Sequence, residues 1–160
     1  MALRVLACEA AKGADLVVLP ELAATDYHFE SQSAAARVAE PAGAGATFQA
    51  FGPVAAEHRV WIVVGFVEDA GADLYNSAMV IDPTGQLRFT YRKTFLYELD
   101  SLWATAGDSG YACFEAEGVR FTVGICMDLN DDGFVTWGRD ESARGIAFPT
   151  KGIDEGYGPW

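Results

Sequence analysis

Basic side chains are scarce in this sequence: 11 Lys and Arg stand against 23 Asp and Glu, a formal charge of −12 over 160 residues. Neutralising a phosphate backbone takes clustered Lys and Arg, so the deficit argues against nucleic acid as a partner. Long apolar runs are missing as well. None approaches the roughly 18 residues that cross a bilayer, and no charged N-terminal region is followed by an apolar segment and a cleavage site. The expectation is a soluble, cytoplasmic chain with no membrane partner. Cysteine is sparse and poorly spaced: Cys8, Cys113 and Cys126 are odd in number and form no CxxC pair. Neither a disulfide framework nor a zinc site fits, and at least one thiol should be free. Internal repeats and low-complexity linkers are absent too.

What remains is a composition for folding. Hydrophobic residues make up 51% and charged residues 21%, enough to bury one sizeable core, so residues 1–160 are expected to form a single domain. Leu3 to Lys12 carries apolar residues at helical spacing and stops at Gly13, a favoured residue just past a helix end. Leu16-Val17-Val18-Leu19 is a short continuous apolar run, the pattern of a strand buried on both faces, with Glu21 at its carboxyl end. An Ala/Ser/Gly-rich stretch at 31–47 predicts a loop with a short helix, followed by a helix through about Glu57.

Strand patterns then take over: Val60 to Val67, Tyr75 to Asp82, and Gln86 to Lys93, joined by turn chemistry at Asp69-Ala70-Gly71-Ala72 and Asp82-Pro83-Thr84-Gly85. Tyr111 to Glu115 and Val119 to Ile125 form a second pair around Glu117-Gly118. A polar stretch follows from Asn130 to Arg139, and Gly145 to Thr150 is the last strand candidate. This order predicts a layered α/β fold with mixed sheets and ligand chemistry at the strand ends.

Three reactive residue types share that address. Glu21, Lys93 and Cys126 each follow a strand pattern. A carboxylate can take a thiol proton, an ammonium can stabilise an oxyanion, and a thiolate can attack a carbonyl-type carbon. Taken singly, each also has a plain structural reading: a solvated charge or helix cap, a surface pair with Arg92, and a core thiol.

Their surroundings carry more. Leu19-Pro20-Glu21, Tyr91-Arg92-Lys93-Thr94-Phe95-Leu96 and Gly124-Ile125-Cys126-Met127-Asp128 resemble, in order and spacing, the three motifs of the nitrilase superfamily, the carbon–nitrogen hydrolases. Lys12 to Val18, Tyr75-Asn76-Ser77-Ala78 and Asp82-Pro83-Thr84-Gly85 agree with it. The resemblance implies an α-β-β-α sandwich with Glu21 as general base, Lys93 as oxyanion stabiliser and Cys126 as nucleophile, the Met127 N–H assisting. It implies no cofactor and no metal. Gly124 to Asn130, and Lys93 to Tyr97 leading to Asp100 and Trp103, look like the protein N-terminal amidase branch, which deamidates N-terminal Asn or Gln. There Asp128 or Asp100 would meet the substrate's α-ammonium, while Asp128 also reads as a brace for the nucleophile loop.

Two departures from the family pattern stand out. A second glutamate is expected eight residues after the lysine, where this chain has Ser101, leaving Asp100 or Glu98 to supply the charge. The sandwich is also expected to be incomplete, without the family's first strand and its C-terminal strands, which predicts unpaired edges and association with a copy of itself or a complementing chain. A small-molecule amidase or nitrilase, or an inert fragment that acts by association, are the alternative readings.

Overall fold

The computed structural model describes residues 8, 10–25 and 28–151. The helix expected over Leu3 to Lys12 falls mostly outside them, although Cys8 and Ala10 are helical, and the loop expected over Gly152 to Trp160 lies outside entirely. Among the described residues from Leu16 onward, seven strands and three α-helices follow one another. They are β1 (Leu16–Val18), α1 (Gln32–Ala35), α2 (Ala46–His58), β2 (Trp61–Asp69), β3 (Leu74–Ile81), β4 (Leu87–Arg92), β5 (Ala112–Ala116), β6 (Val119–Val123), α3 (Asp132–Asp140) and β7 (Gly145–Ala147).

Two mixed sheets result. In the first, ordered β1-β2-β3-β4, the β1–β2 pair is parallel and the other two are antiparallel. In the second, ordered β5-β6-β7, β5 and β6 are antiparallel while β6 and β7 are parallel. Alternation along the strands sends neighbouring residues to opposite faces. Ile62, Val64 and Phe66 of β2, with Met79 and Ile81 of β3, pack with Phe51, Val54 and Ala55 of α2. Val63, Ala78, Val80 and Tyr91 face the other way and meet Phe114, Val123 and Ala147 of the second sheet. On that sheet's far side α3 lies close: a Cβ built on Gly124 would stand 2.6 Å from Phe134 Cζ, and one on Gly138 would stand 3.1 Å from Thr122 Cγ2. Helix, sheet, sheet, helix is the layered sandwich expected, and every residue of β3 is buried within it.

One expectation needs correction, and one stretch without an expected element gains one. Val17 is buried, but Val18 is 38% exposed. The apolar run suggested burial on both faces, whereas β1 is an edge strand of three residues and no described part of the second sheet covers Val18. The polar stretch from Asn130 to Arg139 contains a helix. Asp131 caps it by accepting from the Gly133 N–H at 2.8 Å, and it buries only Phe134 and Gly138, so the apolar stripe was too narrow to read.

One irregularity interrupts the β3–β4 ladder. β3 and β4 pair in steady register from Ser77↔Arg92 to Val80↔Phe89, then shift so that Ile81 faces Leu87 and Arg88 is left over as a bulge. Leu87 accordingly packs on the α2 side and Phe89 between the sheets, although they are two residues apart. No helix among the described residues is long and apolar enough to cross a membrane.

Candidate active site

Glu21 sits just past the end of β1, where the chain keeps running beside β2. The Leu19 N–H donates to the Val63 carbonyl at 2.8 Å and the Ala23 N–H to the Gly65 carbonyl at 3.0 Å. That approach is possible only because residue 65 is glycine: a Cβ there would lie 2.6 Å from Leu22 N and 2.7 Å from the Pro20 carbonyl oxygen. Glu21 is fully buried as a result.

Lys93 follows β4, its N–H bonded to the Asn76 carbonyl and its carbonyl accepting from Gly107. Its ammonium is fully buried between two carboxylates, 2.7 Å from Glu21 Oε1 and 2.5 Å from Asp100 Oδ2. Burial works against the charge, but Glu21 and Asp100 outweigh it and hold the Lys93 pKa above its ordinary value. Asp100, at the start of a 3-10 turn over Asp100–Leu102, also accepts from the Tyr97 N–H at 3.1 Å. Ser101, at the position where a second glutamate was expected, is exposed and turns its hydroxyl to the Tyr97 carbonyl. The second acidic partner of the lysine is therefore Asp100, one residue earlier.

A further residue closes this network. Asn76 on β3 donates from Nδ2 to Glu21 Oε1 at 2.8 Å and, at 3.4 Å, to Asp100 Oδ1. The sequence reading treated it as flanking support. Its signal was there, since Asn76-Ser77 is a polar pair inside an otherwise apolar strand. Two buried acceptors in this network have no protein partner: Glu21 Oε2 and Asn76 Oδ1.

Cys126 opens a 3-10 turn over Cys126–Asn130 at the end of β6, in a left-handed conformation with φ of 45°. Non-glycine residues rarely adopt it, and where they do the strain of about 1–3 kcal/mol is held by surrounding structure. Here that structure is the Cys126 N–H bond to the Pro149 carbonyl at 3.1 Å and the Asp128 carboxylate beneath the turn. The half-buried thiol is pushed above its ordinary pKa by burial first and then by the Glu21 carboxylate, against a lowering from Thr150 and Lys93. It rests as a thiol with a carboxylate beside it. Met127 is the second residue of the turn, whose first internal hydrogen bond runs from the Asp128 N–H to the Ile125 carbonyl. No carbonyl within the turn is available to the Met127 N–H.

Asp128 and Asp100, expected to meet a substrate's ammonium, are occupied inside the fold. Asp128 is fully buried. One oxygen accepts from the Thr94 N–H and hydroxyl and the Phe95 N–H at 2.9–3.1 Å; the other accepts from the Tyr91 hydroxyl at 2.9 Å and the Ile125 N–H at 2.8 Å. It ties the segment after Lys93 to the turn of Cys126, which is the bracing alternative. Among the described residues no group of three or more His, Cys, Asp or Glu is arranged to hold a metal ion.

Comparison with known proteins supplies the family. The carbon-nitrogen hydrolase family model matches residues 2–145. The chain belongs to the carbon–nitrogen hydrolase family. This chain is 38% identical over 147 residues to a nitrilase of Pyrococcus abyssi, covering 91% of this chain and 52% of that protein. It is 27% identical over 140 residues to the protein N-terminal amidase of Saccharomyces cerevisiae, covering 76% and 31%. The crystal structure of an N-terminal amidase with an Asn-Glu-Ala peptide superposes with a TM-score of 0.80 at 24% identity, over 88% of this chain and 40% of that one. These likenesses establish the nitrilase-like fold. The chain spans from about a third to about a half of the length of these relatives.

Proposed function

We propose that Glu21, Lys93 and Cys126 hydrolyse a non-peptide C–N bond by a thiol route, with an N-terminal Asn or Gln of a protein as the substrate. One observation carries the chemistry: Glu21 has one oxygen held by Lys93 and Asn76 and the other buried with no partner, beside a thiol that is protonated at rest. The free oxygen takes the Cys126 proton as sulfur attacks the amide carbon, and the carbonyl electrons move onto oxygen. Lys93 and the Met127 N–H stabilise that oxyanion. Collapse breaks the C–N bond, and the proton on Glu21 leaves with ammonia. Water then attacks the thioester, giving a proton to Glu21; the C–S bond breaks and the thiol recovers its proton. Asp100 supports turnover by supplying the second negative charge on Lys93 that Ser101 lacks.

The N-terminal substrate is supported by the amidase relatives. A small-molecule amide or nitrile is the second reading, favoured by the occupied oxygens of Asp100 and Asp128, which leave neither aspartate open to an α-ammonium. Three free thiols suit a reducing cytoplasm. Half-exposed Val18 on β1 and Ile146 on β7, both on edge strands, support association with a second copy or a complementing chain.

Ammonia release from peptides beginning with Asn or Gln, set against N-acetylated peptides and free small amides, tests the reading. Release that requires the free terminus and disappears in Cys126→Ala supports it. Release from small amides alone selects the second reading, and turnover by Cys126→Ala removes the thiol route.

A further inference from the structure

The buried network around Lys93 is unbalanced in charge. Glu21 and Asp100 bring two carboxylates and Lys93 one ammonium, all at most 1% exposed. Solvent cannot make up the difference, so neutral donors must. Asn76 is placed to do so. It touches the same two carboxylates as Lys93, giving one amide hydrogen to each. These contacts also fix which way round the amide lies. Turned over, its carbonyl oxygen would face Glu21 Oε1 at the distance now filled by a donor.

This orientation has a consequence for Glu21. Oε1 receives both Lys93 Nζ and Asn76 Nδ2, at 2.7 and 2.8 Å, while Oε2 receives nothing. The carboxylate is pinned through one oxygen by two donors and kept open at the other. Asn76 itself cannot drift, because it lies on β3 between paired strands and its carbonyl is bonded to the Lys93 N–H at 2.9 Å.

Resting on the amidohydrolase reading above, we propose that Asn76 is a positioning residue of the site. It holds Glu21 ionised and oriented by supplying the neutral donors that Lys93 alone cannot. Its own buried Oδ1 is left as an acceptor for an N–H or O–H that enters from outside the protein. The charged or titratable groups facing Glu21 among the described residues are Lys93 from the end of β4 and Cys126 from the turn after β6. Asp100 is linked to it through both Lys93 and Asn76. With Asn76 gone, the excess negative charge is relieved by a proton on a carboxylate, and the base is lost at pH values where it normally works.

The test needs no substrate. The rate of Cys126 alkylation by neutral iodoacetamide, followed by peptide mass spectrometry across pH, reports whether Glu21 can accept the thiol proton. Asn76→Leu and the milder Asn76→Ser are compared with the parent protein, each checked by thermal melting. The expected result is an acidic limb displaced upward by at least one pH unit in both variants, and alkylation at neutral pH slowed about 10-fold or more, as befits loss of a hydrogen bond to a charged group. A folded variant whose limb does not move overturns the proposal. Failure of both variants to fold makes Asn76 a stability residue and overturns it as well. Absence of amide turnover by the parent would instead sink the amidohydrolase reading, leaving the alkylation profile to judge Asn76.

Discussion

Two ion-pair networks lie back to back at the end of the four-stranded sheet, and adjacent residues of one strand end supply their cations. Lys93 points between the sheets to Glu21 and Asp100; Arg92 points the other way to Glu68. The Arg92 guanidinium forks onto both oxygens of Glu68 at 2.7 and 2.9 Å, stacks 4.0 Å from the Tyr75 ring centre, and shares Glu68 with the Ser77 hydroxyl at 2.7 Å. There the charges match one to one and no buried acceptor is left over. The Lys93 network has one negative charge too many and two acceptors unfilled. A complete network holds the fold together, and an incomplete one leaves capacity for a reaction.

Cys126→Ala gives the largest effect that separates the two. Turnover in an ammonia-release assay should fall on the order of 10⁴-fold or more, while melting of the Arg92 side of the sheet is unchanged. Next comes a mirrored pair. Glu21→Gln keeps an acceptor for Lys93 and Asn76 but removes the base, so turnover should drop about 10²- to 10⁴-fold with unfolding free energy within about 1 kcal/mol of the parent. Glu68→Gln should do the reverse, costing about 2–3 kcal/mol in denaturant unfolding, below the full cost of a broken buried pair because Arg92 can reach water, with turnover per folded molecule within a few-fold. Equal loss of stability in both variants would erase the distinction.

Gly65→Ala forces a methyl group into the Pro20–Leu22 backbone and should cost about 1–3 kcal/mol while displacing Glu21; unchanged melting and turnover would contradict the close approach. The smallest effect concerns pH. Because the folded pKa of Lys93 lies above its unfolded value, its ion pairs stabilise fully below about pH 10.4 and fade as pH rises through the folded value. Comparing denaturant midpoints of the parent and Lys93→Met across that range should show the difference between them narrow only at the alkaline end.

β2 to β6 were legible in the sequence because buried strands alternate or run apolar between turn residues, and the motifs placed Glu21, Lys93 and Cys126 at strand ends. Partner choice was harder to read. Asp100 replaces the expected glutamate from one residue earlier, through a 3-10 turn whose pitch no motif spacing encodes. Asn76 read only as flanking support because its partners lie 55 and 24 residues away. Gly65 carries its information in what it lacks, a side chain where another segment passes. α3 was missed because a helix that buries only Phe134 and Gly138 leaves too thin a stripe.

The bulge at Arg88 lets Leu87 pack on the helix side while Lys93 still meets Glu21. Counting by twos from Leu87 on the helix side would carry residues 89, 91 and 93 to that same side; the extra residue advances the count by one and brings Phe89 and Tyr91 between the sheets, with Lys93 after them. Deleting Arg88 would make Leu87 and Phe89 direct neighbours on opposite faces, the places they already hold, so Arg92 and Lys93 would keep theirs. The bulge thus absorbs one residue of strand length without moving the site, so a relative that keeps the motifs but lacks this residue should be read as the same machine on a shorter strand.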